Sequence, residues 1–421
     1  MQMGIPFYYV SLLRSHPGII KNIKKIQVDI LAIDFNCLIH KYLKDDNPIQ
    51  SVLEGLELIL DICKAKKVFV SFDGLVPYGK IVQQRYRRMR EKEQGEFDRN
   101  QISPDTPFMR ELETALKKYP IEISPTQKSG EGEHKIFNDI RKYGKAESVC
   151  IYGLDADLIL LSLYHHNLAS KEMFLLRESQ EMNSQGEFSI LLCKDLAKIL
   201  PIDIEQYLIL CILCFGNDFM PNLGMFSLRE GGYERALEIY DKVKPNLLEE
   251  DGRYSFLLEA SKTEWDFFSK RKTPFEKNVI GKNPQTFSKR YGLHVLDGVQ
   301  NMENVADAYW KSFHWTLDYF KTNKTTNWSW VYPYPDAPLI QDLIELYETK
   351  YEKQPLDFTI PKQLSFILPS KSLKQARKIQ RFPDEIYTET RPLWIKRHDW
   401  EMKPYISLPW NPNGITEFSH F

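Results

Sequence analysis

The sequence is short of several things that would settle its class at once. Cysteine is scarce, six in 421 residues. Cys37, Cys63, Cys150, Cys193, Cys211 and Cys214 fall mostly inside apolar runs and follow no disulfide-framework spacing, which points to a reducing compartment. Cys211 and Cys214 form one C-x-x-C within YLILCILCF, but no second pair completes a zinc site, so buried packing is the better reading. No stretch is long and apolar enough to span a bilayer, and the N-terminus lacks a signal-peptide pattern. Strong charge of either sign is missing too: the net charge is −1. That excludes a generally basic coat for polyanions, so any nucleic-acid surface has to be local. No G-x-G-x-x-G turn follows the first apolar strand, which argues against a dinucleotide-binding enzyme. Heptads and exposed apolar stripes are absent as well, so a monomer is expected.

What is present is a repeated pattern of buried strands that end in acid. VDILAIDFN runs apolar to Ile33 and then presents Asp34 and Asn36. KKVFVSFDG ends at Asp73, and SVCIYGLDAD ends at Asp155 and Asp157. Between them lie helical patterns over Ser51–Lys64 and Glu131–Tyr143. Strands alternating with helices predict an α/β fold, a mostly parallel twisted sheet flanked by helices. In such a sheet ligands bind at the carboxyl ends of the strands, where these aspartates fall.

Two further acidic stations can join them. SGEGEHKI places Glu131 and Glu133 at a helix start; residues two apart do not share a helical face, so at least one belongs to the entry turn. CFGNDFMP puts Asp218 on a turn after an apolar helix. Taken alone, Glu131 or Asp218 reads as a helix cap or a solvated charge. Asp34, Asp155 and Asp157 after buried strands do not, because clustered carboxylates are costly to desolvate without a counter-charge. Hard oxygen donors without His or Cys partners select Mg²⁺ or Mn²⁺. Two such ions, roughly 4 Å apart, can drive in-line phosphodiester hydrolysis.

A basic helix follows Asp73. In DGLVPYGKIVQQRYRRMR, Lys80, Gln84, Arg87 and Arg88 stand at i, i+4, i+7 and i+8, one stripe of a helix beginning near Lys80. By itself the run also fits a solvated charged helix or a nuclear-localisation signal. Its place directly after Asp73 favours a phosphate-holding role beside the acids.

These residues resemble the XRN family of 5′→3′ exoribonucleases. The likeness runs in order through MGIPFYYVSLL, DFNCLIH, FDGLVPYGKIVQQRYRRMR, FDRNQISPDTPFM, GEGEHKI, CIYGLDADLILLSL and GNDFMPNL. It resumes in NWSWVYPYPDAPLI, QPLDFTIPKQLSFILP and DWEMKPYISLPW, leaving residues 245–300 with little to match. The resemblance implies a PIN/5′-nuclease-like sheet with a C-terminal helical block packed on it. It implies a nuclease block over 1–244, a variable and helical connector over 245–300, and a second block over 301–421 that completes the substrate pocket. It also implies a metal set of Asp34, Asp73, Glu131, Glu133, Asp155, Asp157 and Asp218 holding two Mg²⁺, with Mn²⁺ able to substitute. Lys80, Gln84, Arg87 and Arg88 would form the 5′-monophosphate pocket. His40 would stack on the first base, with Trp328 or Trp330 on its other side; without the resemblance, that histidine and those aromatics read as structural packing.

The implied activity is processive, Mg²⁺-dependent degradation of 5′-monophosphorylated single-stranded RNA to mononucleotides. The cytoplasm is the default location, with the nucleus or a viral factory as the other settings. Three departures stand out. Met1-Gln2 precede the family's Met-Gly start, Pro335-Asp336-Ala337-Pro338 replaces its usual His-Tyr-Ala-Pro, and the chain stops after the second block, as a minimal catalytic body would. A flap-endonuclease-like 5′ nuclease acting on DNA would continue after Asp218 into a Gly-x-Gly hairpin, which is missing here. An inactive RNA-binding relative would have lost one or more of the acids, and all seven are present.

Overall fold

The computed structural model describes residues 4–368 and 372, apart from 6, 91–96, 145, 179–187, 271–279 and 297. A seven-stranded sheet has the order β1-β7-β6-β5-β2-β3-β4. Its members are β1 (Ile20–Ile23), β2 (Ile26–Asp34), β3 (Cys63–Ser71), β4 (Glu122–Ser124), β5 (Ala146–Tyr152), β6 (Ser170–Glu178) and β7 (Phe188–Leu192). β6-β5-β2-β3-β4 are parallel, and β7 and β1 add an antiparallel edge. The mostly parallel α/β sheet expected from the sequence is therefore present.

Side-chain alternation explains why the central strands read as unbroken apolar runs. Ile30 and Ala32 of β2, with Val149 and Ile151 of β5, enter one core with Ile136, Phe137 and Leu158. Leu31 and Ile33, with Cys150 and Tyr152, enter a second core on the other face with Val52, Leu56 and Leu112. All six cysteines are buried and unpaired, including Cys211 and Cys214.

The helices of the first half are α1 (Tyr8–Ser15), α2 (Phe35–Tyr42), α3 (Pro48–Ile62), α4 (Tyr78–Arg90), α5 (Pro107–Leu116), α6 (Gly132–Lys142), α7 (Asp157–Ala169), α8 (Cys193–Ile199) and α9 (Ile204–Phe215). The helix expected over Ser51–Lys64 starts earlier, at Pro48, because proline suits the first turn of a helix. It also ends earlier, at Ile62, because Cys63 and Lys64 pair with Ile26 and Gln27 as the opening of β3. Beyond the sheet come α10 (Gly232–Val243) and α11 (Glu250–Ser269). A long helix, Met302–Thr322, packs on α9. Tyr309 anchors it by donating to Leu213 O at 2.8 Å and Pro221 O at 3.2 Å. A last helix, Ile360–Ile367, lies on α4. Among the described residues no helix is long and apolar enough to cross a membrane.

Candidate active site

Three neighbouring parallel strands explain how acids far apart in sequence meet. β5, β2 and β3 lie side by side and run the same way, so their carboxyl ends share one rim. Asp34 is the last residue of β2, Asp73 stands two residues past β3, and Asp155 and Asp157 follow β5. Glu131 caps α6 from an extended backbone position (φ −69°, ψ 146°), while Glu133 sits in that helix's first turn. The entry turn thus resolves how two residues of unlike helical phase face one pocket.

Backbone donors fix the acids. Gly132 N–H donates to Asp73 Oδ1 at 2.7 Å. The space is tight for a side chain here: a Cβ would lie 3.1 Å from Ser71 O, 3.3 Å from that oxygen and 3.4 Å from Asp34 Oδ1. Asn36 brackets Asp73: its Nδ2 donates to Asp73 Oδ2 at 3.1 Å, and its Oδ1 accepts Asp73 N–H at 3.1 Å. The N-terminal segment reaches the same place. Gly4 N–H donates to Asp218 Oδ1 at 3.2 Å and Ile5 N–H to Asp157 Oδ1 at 2.8 Å. Gly4 has φ 77°, and a Cβ there would lie 2.6 Å from Asp157 Cγ.

The charges are mutually felt across the cluster. Burial, then Asp73 and Asp155, hold the Asp34 carboxyl well above its ordinary range. Burial, with Glu131 beside it, raises Asp73 despite the Gly132 hydrogen bond. Burial also raises Glu133, helped by Glu131, Asp157 and Asp155 against the opposing pull of Lys80. Asp157 is raised by burial and by Asp218. Each of the seven acids is thus electrostatically linked to at least one other.

Lys80 joins two of these acids. Its ammonium contacts Glu131 Oε2 at 2.6 Å and also Asp218 Oδ2. Burial pulls the Lys80 pKa down, but Asp218, Glu131 and Glu133 more than offset that and raise it. Gln83 Nε2 adds a donor to Asp218 Oδ1 at 3.2 Å. Gln84 is buried on the same helix, and its Oε1 has no hydrogen-bond partner. The Arg88 guanidinium donates to Asn100 O at 3.3 Å and Ile102 O at 2.9 Å. The Arg87 side chain lies outside the described residues. His40 is exposed in the last turn of α2. Trp328 and Trp330 are half-buried beside the start of α4. Trp328 O accepts Tyr78 N–H at 2.8 Å, and Trp330 Nε1 donates to Ser312 Oγ at 3.0 Å.

The donor set suits a hard divalent cation, being carboxylate oxygen throughout. Glu133 Oε2 is buried without a hydrogen-bond partner, a position that invites a cation. The acids are gathered but do not form a closed cage. Among the described residues no three His, Cys, Asp or Glu side chains stand in ready metal-binding geometry.

Sequence reasoning missed several groups. Tyr319, buried on the Met302–Thr322 helix, donates to Glu131 Oε1 at 2.9 Å. Its ring stacks on His134, centroids 3.8 Å apart. Burial holds His134 down to about 3, so it is a neutral ring bonded through Nδ1 to Asn323 Oδ1 at 2.8 Å. With Lys80 on one oxygen of Glu131 and Tyr319 on the other, the carboxylate has one orientation. Tyr319→Phe keeps the packing and removes the donor, so metal affinity is expected to fall by about 10–100-fold. Direct Mn²⁺ titration checks this, with an unchanged melting temperature of the metal-free protein as the control.

Comparison with known proteins places these elements. The family model described as XRN 5′-3′ exonuclease N-terminus matches residues 3–96 and 90–179, and the Xrn1 helical domain matches residues 281–380. 5′-3′ exoribonuclease 2 of Saccharomyces cerevisiae is 25% identical over 448 residues, covering 73% of this chain and 44% of the relative. 5′-3′ exoribonuclease 1 of the same yeast is 29% identical, covering 59% of this chain and 21% of the relative. The human 5′-3′ exoribonuclease 1 is 28% identical, covering 58% and 19%. The chain thus spans less than half the length of these relatives. Among solved structures, the catalytic core of Rad2 in complex with DNA substrate matches 87% of this chain and 99% of its own at 14% identity, with a TM-score of 0.39. The N-terminal match contains six of the seven acids and the helical match contains Tyr319, Trp328 and Trp330, so this chain belongs to the XRN family of 5′-3′ exonucleases.

Proposed function

We propose that this chain is a divalent-metal-dependent 5′→3′ exoribonuclease that removes mononucleotides processively from single-stranded RNA bearing a 5′-monophosphate. The observation that supports the reading is that Asp34, Asp73, Asp155 and Asp157 follow neighbouring parallel strands, while Glu131 and Asp218 meet at Lys80 of α4. Asp34, Asp73, Glu131, Glu133, Asp155, Asp157 and Asp218 would hold two Mg²⁺, or Mn²⁺ in their place. Bound there, the ions supply activation of water and charge stabilisation at the leaving oxygen.

The chain's own residues do the rest. Lys80, Gln84, Arg87 and Arg88 grip the terminal phosphate, and His40 with Trp328 or Trp330 stacks the first base without regard to its identity. A pocket shaped for one phosphate rejects a triphosphate or a cap by size and charge. Each cut frees a new 5′-phosphate that slides into the same pocket, which is the basis for processivity. The protein acts as a monomer, and its six unpaired cysteines suit a reducing compartment such as the cytoplasm.

The test is an RNA series that differs only at its 5′ end: hydroxyl, monophosphate, triphosphate or cap. The monophosphate is expected to be degraded fastest, and equal rates on all four would remove the pocket from the account. Arg88→Ala is expected to lower the preference for monophosphate over hydroxyl by roughly 10-fold, the scale of one charge-assisted contact. A variant with full preference would show that the guanidinium stays on the Asn100 and Ile102 carbonyls during turnover.

A further inference from the structure

A second face of α4 borders a cavity that the reaction above does not use. Tyr78 and Ile81 turn from the acids toward the Ile360–Ile367 helix, where they pack with Phe366, Ile367 and Phe358. Between the two helices lies a cavity of ≈ 270 Å³, near the lower end of small-ligand sites, roughly 300–1,000 Å³. Its walls are aromatic: the Tyr78 and Phe366 ring centroids are 5.8 Å apart, and Phe358 lines the same space.

Its polar groups are few and distinct. Gln363 is 1% exposed. Its Oε1 accepts Val76 N–H at 3.1 Å, which fixes the amide orientation, and its Nε2 is left buried without a partner. Such a donor is what an acceptor on a bound heterocycle would satisfy. Asp357 and Lys362 are exposed members of the lining, and Ser329 is half-buried beside them.

An aromatic-walled cavity, one buried amide donor, a carboxylate and an ammonium together match the parts of one ligand class. We propose that this cavity binds a nucleoside 5′-monophosphate, either free or as a unit within an RNA strand. The base enters the cavity with a carbonyl or ring nitrogen on Gln363 Nε2, the ribose hydroxyls donate to Asp357, and the phosphate meets Lys362. The inference rests on the chemistry of the cavity and not on hydrolysis, so it is tested without divalent metal.

The experiment titrates 5′-AMP into the full chain in chelator, followed by ligand-observed NMR. A dissociation constant of roughly 0.1–1 mM is expected, as for small ligands held by few polar contacts. Lys362→Glu alters an exposed side chain and is expected to weaken AMP by about fivefold or more while leaving adenosine unaffected. Phe358→Ala should weaken both. Arg88→Ala, on the other face of α4, weakens only AMP held in the 5′-phosphate pocket, and the component that depends on Lys362 and Phe358 should survive it. A short 5′-hydroxyl RNA separates the two sources: displacement of AMP assigns the cavity to a base of the strand, and failure to displace it assigns the cavity to the free nucleotide. Absence of AMP binding at millimolar concentration would overturn the proposal. So would binding that falls with Arg88→Ala but ignores Lys362→Glu and Phe358→Ala.

Discussion

Asp157→Asn is expected to lower RNA hydrolysis by at least about 10³-fold, some 4 kcal/mol of transition-state stabilisation, while making the metal-free protein more stable. The two effects have one cause. Asp157 is 2% exposed and faces Asp218, and its carboxyl pKa is raised by burial first and by that neighbour next. A carboxylate whose folded pKa lies above its unfolded one contributes nothing when both forms are protonated. It loses stability for the fold as pH rises from the unfolded value, about 3.9, through the higher folded value. At neutral pH the buried acid therefore works against folding. Asparagine removes the acid and retains an oxygen to accept the Ile5 N–H. A gain near 1 kcal/mol would appear as a rise of roughly 1 °C in melting temperature. Calorimetry in chelator at pH 7, beside a single-turnover assay, reads both. A variant that is inactive and also less stable would identify Asp157 as a structural acid.

Removing divalent metal is expected to abolish cleavage outright, and restoring Mg²⁺ or Mn²⁺ to recover it together with a gain in stability. The acids explain the size of the gain. Asp34, Asp73, Glu133 and Asp157 are all held above their ordinary pKa by burial and by one another. The buried Lys80 ammonium pairs with Glu131 and Asp218 and opposes the rise of these four acids only through space. A cation that binds only the folded state stabilises it by about 2.7 kcal/mol at a hundredfold excess over its dissociation constant. The melting temperature of the wild-type chain should therefore climb with Mn²⁺ concentration, and that of Asp157→Asn should climb far less. Ions held by Glu131 and Asp218 would have to compete with Lys80 for these carboxylates.

The strand-end acids were legible because each pattern is local. A buried strand announces itself by an apolar run, and a carboxylate at its end needs no distant information to stand out. The parallel order of β5, β2 and β3 then brings Asp34, Asp73, Asp155 and Asp157 to one rim. Glu131 and Glu133 were legible in part, since helical phase alone showed that one of them had to leave the helix. What could not be read was pairing across long separations. Nothing near Gly4 in the sequence signals a hydrogen bond to Asp218, and nothing near Tyr319 signals Glu131, 188 residues away. The only hint for Tyr319 was a tyrosine on a helix dense with aromatics, which reads as core. Lys80 was read as a phosphate ligand from its stripe, whereas in this structure it sits between two carboxylates, a choice made by tertiary packing. The early end of α3 has the same origin, because Cys63 and Lys64 are claimed by pairing with β2.

The most direct test of the central claim follows the products of a 5′-monophosphorylated, uniformly labelled RNA over time, with Mg²⁺ and with chelator. Mononucleotides from the earliest time point, with no fragments of intermediate length and no products in chelator, are the expected result. Oligonucleotide fragments preceding mononucleotides, or cleavage that persists when the metal is removed, would contradict it.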